Sequence, residues 1–242
     1  MRIVKFEEQE IELILFSGGV DSVYLCQELL KKGKKLLALS LDLSYDVGSQ
    51  PRSVLQKISV KKTSDFFLKN YFKNFEIIDA GIFFNVNRFD FPQHKWFGAF
   101  DENWATFMAG IVANLYGINT IWKGEFTYCF IERIQNEGGG YLELDKATAY
   151  CSYPYIKWAF KEDPSWKNVS IKAPFSEYRN KDMDRFLTKT EAFNELDPYL
   201  QKYVRSCLGR EWFCGKCAKC NRWKNAGISN ETPEEALEDK SP

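Results

Sequence analysis

Two short stretches of this sequence gather side chains whose types and spacing could bind a ligand or a metal. The first, Ser17-Gly18-Gly19-Val20-Asp21-Ser22, puts two hydroxyls, two glycines and a carboxylate into six residues. The second, CLGREWFCGKCAKC, sets Cys207, Cys214, Cys217 and Cys220 at C-x6-C-x2-C-x2-C spacing. Glycines admit close approach to the backbone. Amides that lead into a helix lack intrahelical acceptors and sit at the positive end of its dipole. The first stretch therefore suits an anion, phosphate above all, with Ser17 and Ser22 adding hydroxyls. Asp21 is out of place beside phosphate unless a magnesium ion lies between them or the carboxylate caps the helix. In the second stretch four closely spaced thiolates can wrap a tetrahedral zinc ion, with metal–sulfur bonds of about 2.3 Å. Gly215 eases the turn, and Arg205, Arg210, Lys216, Lys219 and Arg222 offset the thiolate charge. An iron–sulfur cluster or simply reduced cysteines are the alternatives. With no histidine nearby, a closed structural site is expected rather than a catalytic one.

These stretches need elements to position them. The apolar run Ile11 to Phe16 reads as a strand that delivers the glycine turn, and Val20, Val23, Tyr24 and Leu29 or Leu30 recur at helical spacing after it. Lys34 to Asp42 reads as a second buried strand, residues 53–71 as a helix, and Phe75 to Ala80 as a third strand. In residues 101–117 the large apolar residues Trp104, Phe107, Met108, Ile111, Val112 and Leu115 share a helical face, between a capping Asp101 and a terminating Gly117. Residues 119–126 form a fourth strand, residues 169–175 a fifth, and Asn180 caps a helix through Leu187. The order predicts an α/β fold: a parallel twisted sheet with helices on both faces, carrying a small C-terminal zinc-binding module. The expected division is an α/β domain over 1–204 with a divergent insertion at 127–168, a cysteine module over 205–228, and an acidic tail over 229–242.

The 242 residues suffice for one sizeable core, with 45% hydrophobic and 16% aromatic residues. Lys plus Arg and Asp plus Glu are equal at 33 each, which argues against a general nucleic-acid binder. No apolar run is long enough to span a bilayer, and the opening residues lack a signal-peptide core. The expected location is the cytoplasm, where seven cysteines are thiols or metal ligands rather than disulfides. The turn is neither of the common nucleotide loops: the lysine of G-x4-G-K-[ST] is missing, and so is G-x-G-x-x-G.

The stretch SGGVDS, placed between strand and helix, resembles the loop of the N-type ATP pyrophosphatases, which grip the pyrophosphate of ATP while AMP passes to a substrate oxygen. Joined to SC…CGKCAKC, LALSLD and IKAPF, it makes residues 11 to 227 resemble the 7-cyano-7-deazaguanine synthase family. That resemblance implies ATP, Mg2+ and Zn2+ as cofactors. It implies adenylation of the carboxylate of 7-carboxy-7-deazaguanine, amidation by ammonia, and a second ATP-dependent dehydration to the nitrile. By the same resemblance Phe16, Ser17, Gly18, Gly19, Val20, Asp21 and Ser22 hold the pyrophosphate and its magnesium, with Ser17 and Asp21 at the chemistry. Ser40 and Asp42 hold the nucleoside part, Cys207, Cys214, Cys217 and Cys220 hold zinc, and a homodimer is expected.

The match departs from the family where substrate is read. Asn103 and Gly124 agree with it, but Asp101 and Glu102 replace a glycine and an arginine, and the run after Gly124 differs. A changed substrate or product is therefore expected, including attachment of a deazaguanine to a protein acceptor, as in antiviral defence. Lys123 and Glu125 face the reacting carboxylate or ammonia, or form a solvated pair at a strand end. The aromatic run from 82 to 100 is a lid over a purine-like ring or a dimer surface, and His94 reads as a packing residue rather than a base. Nitrogen or sulfur transfer to an RNA base, and a non-enzymatic zinc-bearing module, are the competing classes.

Overall fold

In the computed structural model the described residues are 10–45, 50–84, 97–124, 169–172, 189–205, 212–216, 218–225, 228 and 232–234. Five strands, β1 (Ile11–Leu15), β2 (Lys35–Tyr45), β3 (Phe75–Phe84), β4 (Thr120–Lys123) and β5 (Ser170–Lys172), form one parallel sheet in the order β3-β2-β1-β4-β5. Helices α1 (Val20–Lys31), α2 (Gln50–Asn70) and α3 (Phe97–Leu115) connect the first four strands. Among the described residues three short helices come after β5: α4 (Lys189–Asn194), α5 (Pro198–Tyr203) and α6 (Ala218–Asn225).

Strand alternation sorts the core into two layers. Ile14 and Phe16 of the β1 run, Leu36 and Ala38 of β2, and Phe75 face α1 and α2. Leu13, Leu37, Leu39 and Ile121 face α3. Both faces of the sheet are thus covered, as the βαβ alternation predicts, and the near-continuous apolar strands result from burial on two sides. The chain winds outward from β1 to β3, then α3 carries it back across the sheet to β4. Strand order therefore reverses between β1 and β4, and in such sheets the crevice at that reversal receives ligands.

Helix α1 is buried on nearly every side, because α4, α5 and α6 add a further layer over it: Phe193, Leu200 and Trp223 join its core. Tyr24 Oη donates to Glu195 at 2.7 Å, and Gln27 bonds both the Glu195 carbonyl and the Asp197 amide. The C-terminal cysteine segment is built into the same body, since Trp212 packs on Leu55 and Ile58 of α2.

Helix α3 departs from expectation. It buries Thr106, Ala109, Gly110 and Ala113 on the sheet, while Phe107, Met108 and Ile111 are half-buried and Leu115 is 76% exposed. Small side chains let the helix lie close to β1 and β4, a packing demand that the hydrophobic pattern alone does not reveal. The helix also starts at Phe97, so Asp101 lies inside it rather than at its cap. Gly117 does end it, with a φ of +66° and Ile118 N–H bonded to the Ala113 carbonyl. Strands β2 and β3 run past their expected ends and pair from Ser40–Asp79 to Tyr45–Phe84, beyond the point where β1 stops.

At the other end of the sheet, the buried Glu12 carboxylate accepts from the Trp122 indole at 2.8 Å and from Lys34 at 3.0 Å. Replacing it by leucine would leave the indole N–H without that acceptor. Urea denaturation of Glu12→Leu is expected to show a loss of about 1–3 kcal/mol, with Glu12→Gln retaining most of the stability.

Candidate active site at the β1–β4 crevice

Phe16 ends the apolar run and anchors the glycine turn. Its ring meets Phe67 and Phe75 edge-on, each at 6.1 Å, and its amide donates to the Leu39 carbonyl of β2. Phe16 thus supports the loop from below. The chain then leaves the sheet. Ser17 is exposed, Gly18 turns with a φ of +70°, and Gly19 stands at the N-cap of α1 with no side-chain cap. Ser22 cinches the turn instead: its buried hydroxyl donates to the Gly19 carbonyl at 3.2 Å and accepts from the Ser17 amide at 3.1 Å. The Ser17 and Ser22 hydroxyls lie 3.2 Å apart. Val20 is fully buried in the core and holds the first turn down.

Two glycines are required by close contacts within the protein. A Cβ on Gly18 would lie 2.6 Å from Ser59 Oγ and 2.9 Å from the Val60 amide of α2. A Cβ on Gly124, just after β4, would lie 2.6 Å from the Asp21 carbonyl oxygen and 2.8 Å from the Ser22 amide nitrogen. The strand end is thus in backbone contact with the first turn of α1. Gly19 differs: a Cβ there meets nothing closer than Ser17 Oγ at 3.4 Å and Arg205 O at 3.5 Å. Gly19 would thus accept a Cβ at ordinary contact distance, whereas Gly18 and Gly124 would not. The loop amides and hydroxyls fit a polyphosphate, and Asp21 is half-buried in the first turn of α1.

Other expected site residues gather around this point. Lys123 is buried and pairs in register with Leu15, one residue before Gly124. By alternation it shares the α3 face with Ile121, whereas buried Ser40 shares the α1–α2 face with Ala38. The two flank the strand ends from opposite sides. Asp42 pairs in register with Gly81 on the extension of β2, and Asn103 lies within α3; their side chains are outside the described residues, as are Glu125, Cys207 and Cys217.

Of the cysteine set, Cys214 and Cys220 bring their sulfurs to 3.8 Å, with Gly215 between them at a φ of +66°. Two ligands about 2.3 Å from a tetrahedral ion stand about 3.8 Å apart, so this pair fits zinc. Among the described residues no group of three metal-ligating side chains occurs. Burial pushes the Cys26 thiol well up, so that cysteine is a core residue and not a nucleophile.

Sequence reasoning missed Gln56, Ser59 and the Arg205 amide, all of which bond the glycine turn. A signal was present: Ser59 and Thr63 stand on the α2 stripe of Leu55 and Phe67, where apolar residues are the norm. Among the described residues no helix is long and apolar enough to cross a membrane.

No family model matches the sequence, and no curated protein matches it. Among solved structures, the NMN synthetase of Francisella tularensis aligns over 93% of this chain and 89% of its own, at 14% identity and a TM-score of 0.36. A likeness of that size assigns neither family nor activity, and the reading of the site rests on the crevice itself.

Proposed function

We propose that the chain is an ATP-dependent carbon–nitrogen ligase that activates a carboxylate by adenylation and passes the acyl group to ammonia. The observation that supports it is the glycine turn at the strand-order reversal, with Gly124 packed on the first turn of the helix that follows it. A carboxylate oxygen attacks the α-phosphorus of ATP, the bond to the bridging oxygen breaks, and pyrophosphate leaves with that electron pair. Ammonia then attacks the acyl carbon, AMP departs, and the nitrogen loses a proton to give the amide.

In this reading the loop amides and the Ser17 hydroxyl hold the departing pyrophosphate, and the α1 dipole stabilises its charge. Asp21 would hold magnesium, which neutralises phosphate charge when bound. Lys123 would offer a cation to the reacting carboxylate, and Ser40 and Asp42 would hold the nucleoside. Cys207, Cys214, Cys217 and Cys220 would hold a structural zinc ion. The proposed substrate is a 7-deazaguanine carboxylate, read by Asn103, Gly124 and Glu125, with the amide or the nitrile as product. Asp101 and Glu102 favour the variant in which the substrate or acceptor differs, a protein amine being the alternative acceptor.

Isotope exchange between ATP and labelled pyrophosphate, measured with a panel of heteroaromatic carboxylates, tests the reading. Exchange dependent on a deazaguanine carboxylate, and lost in Asp21→Asn, is expected. No exchange with any acid, despite a folded protein, would overturn it.

A further inference from the structure

An anion cradle must do two things: present N–H groups and keep carbonyl oxygens away. The glycine turn satisfies the second condition by giving each carbonyl of residues 17–19 a donor. The Ser17 carbonyl accepts from Gln56 Nε2 at 3.2 Å. The Gly18 carbonyl accepts from Ser59 Oγ at 2.7 Å and from the Arg205 amide at 3.2 Å. The Gly19 carbonyl accepts from the Val23 amide at 3.0 Å and the Ser22 hydroxyl at 3.2 Å. Only the last is local; the others come from α2 and from the segment after α5.

Resting on the adenylation reading, we propose that Ser59 is a positioning residue for pyrophosphate, fixing the plane of the Gly18–Gly19 peptide so that its carbonyl turns into the protein and its N–H, which donates to Ser17 Oγ at 3.4 Å, faces the exposed side of the turn where the ligand would sit. The geometry singles Ser59 out. Its side chain is fully buried, it bonds the Gly18 carbonyl at 2.7 Å, and its Oγ lies 2.6 Å from where a Cβ on Gly18 would be. A left-handed glycine is the residue whose peptide rotates most easily, because no side chain penalises alternative φ values. Its orientation must come from outside. Without the hydroxyl, the Arg205 amide still satisfies the carbonyl, so the fold persists while the peptide plane is less well fixed. The consequence falls on ligands that use the loop amides, the pyrophosphate-bearing ones, and not on the adenosine part.

The test compares wild type with Ser59→Ala by calorimetry, using Mg-ATP, Mg-pyrophosphate and AMP as separate probes. Affinity for ATP and for pyrophosphate is expected to fall about tenfold, the worth of one hydrogen bond to a preorganised group, while AMP affinity stays within about twofold. Ser59→Thr, which retains the hydroxyl, is expected to recover part of the loss. Equal weakening toward all three probes, or none, would overturn the positioning role while leaving the adenylation reading intact. A wild type that takes up neither ATP nor pyrophosphate would sink both. Should Ser59→Ala fail to fold by circular dichroism, Gln56→Ala, at the exposed bond to the neighbouring carbonyl, is expected to show the same selective loss; unchanged pyrophosphate binding there would overturn the role.

Discussion

Gly124→Ala is expected to abolish ATP–pyrophosphate exchange while leaving a folded protein. The added methyl would lie 2.6, 2.7 and 2.8 Å from the Asp21 carbonyl oxygen, the Asp21 carbonyl carbon and the Ser22 amide nitrogen. All three are backbone atoms at the start of α1, where no rotamer change can make room, so the strand end and the helix must separate. Core overpacking of this kind costs about 1–3 kcal/mol, which a domain of this size survives. The site is less tolerant. A displacement of about 1 Å between positioning groups can cost on the order of a hundredfold in rate, and here it moves Asp21 and the loop amides relative to Lys123. Gly33→Ala is the control. Its φ of +77° costs a side chain about 1–2 kcal/mol, yet no atom lies within 4 Å of the added methyl and the residue is at the far end of α1. Gly33→Ala should therefore lower the urea midpoint with exchange kept, whereas Gly124→Ala should lower the midpoint and lose exchange as well. Equal activity in the two variants would remove the β4 contact from the account of the site.

The parallel sheet and its order of elements were legible because each strand–helix unit has a strong local signature: an apolar run, a turn and a helical stripe. The glycine turn was legible for the same reason, lying within one such unit. Long-range partners were not. The contact between Gly124 and Asp21 joins residues about a hundred positions apart in the chain, and the hydroxyl of Ser59 reaches Gly18 from α2. Helix α3 shows a different failure. Its large apolar residues set the sequence pattern, but the sheet selects the small ones, Ala109 and Ala113, because strand–helix distance is decided by the smallest side chains at the contact. The cysteine spacing announced a cluster and said nothing of the way Trp212 ties that segment to α2, the helix that also bonds the loop.

That tie carries the other large effect. Cys220→Ser is expected to eliminate stoichiometric zinc, measured by atomic emission on the purified chain, and to lower stability by several kcal/mol. Binding free energies of about 10–16 kcal/mol in isolated zinc peptides set the scale, since ligands held only by the metal are released with it. Cys220 is almost fully buried within 3.8 Å of the Cys214 sulfur, on the helix that also carries Trp223 into the α1 core beside Phe193. Loss of the ion should therefore loosen Trp223 and Trp212 together, seen as a red shift of indole emission and as early proteolytic cleavage after residue 205. Nucleotide affinity should fall in the same variant, because Arg205, whose amide holds the Gly18 carbonyl, stands two residues before Cys207 in the sequence. Chelation of wild type at high pH, where thiolates compete best for the metal, should be slower than at pH 6, where protonation of released thiols pulls the ligands away. A Cys220→Ser protein with unchanged metal content and an unchanged melting curve would show that these cysteines hold no ion, and that the segment docks through its tryptophans alone.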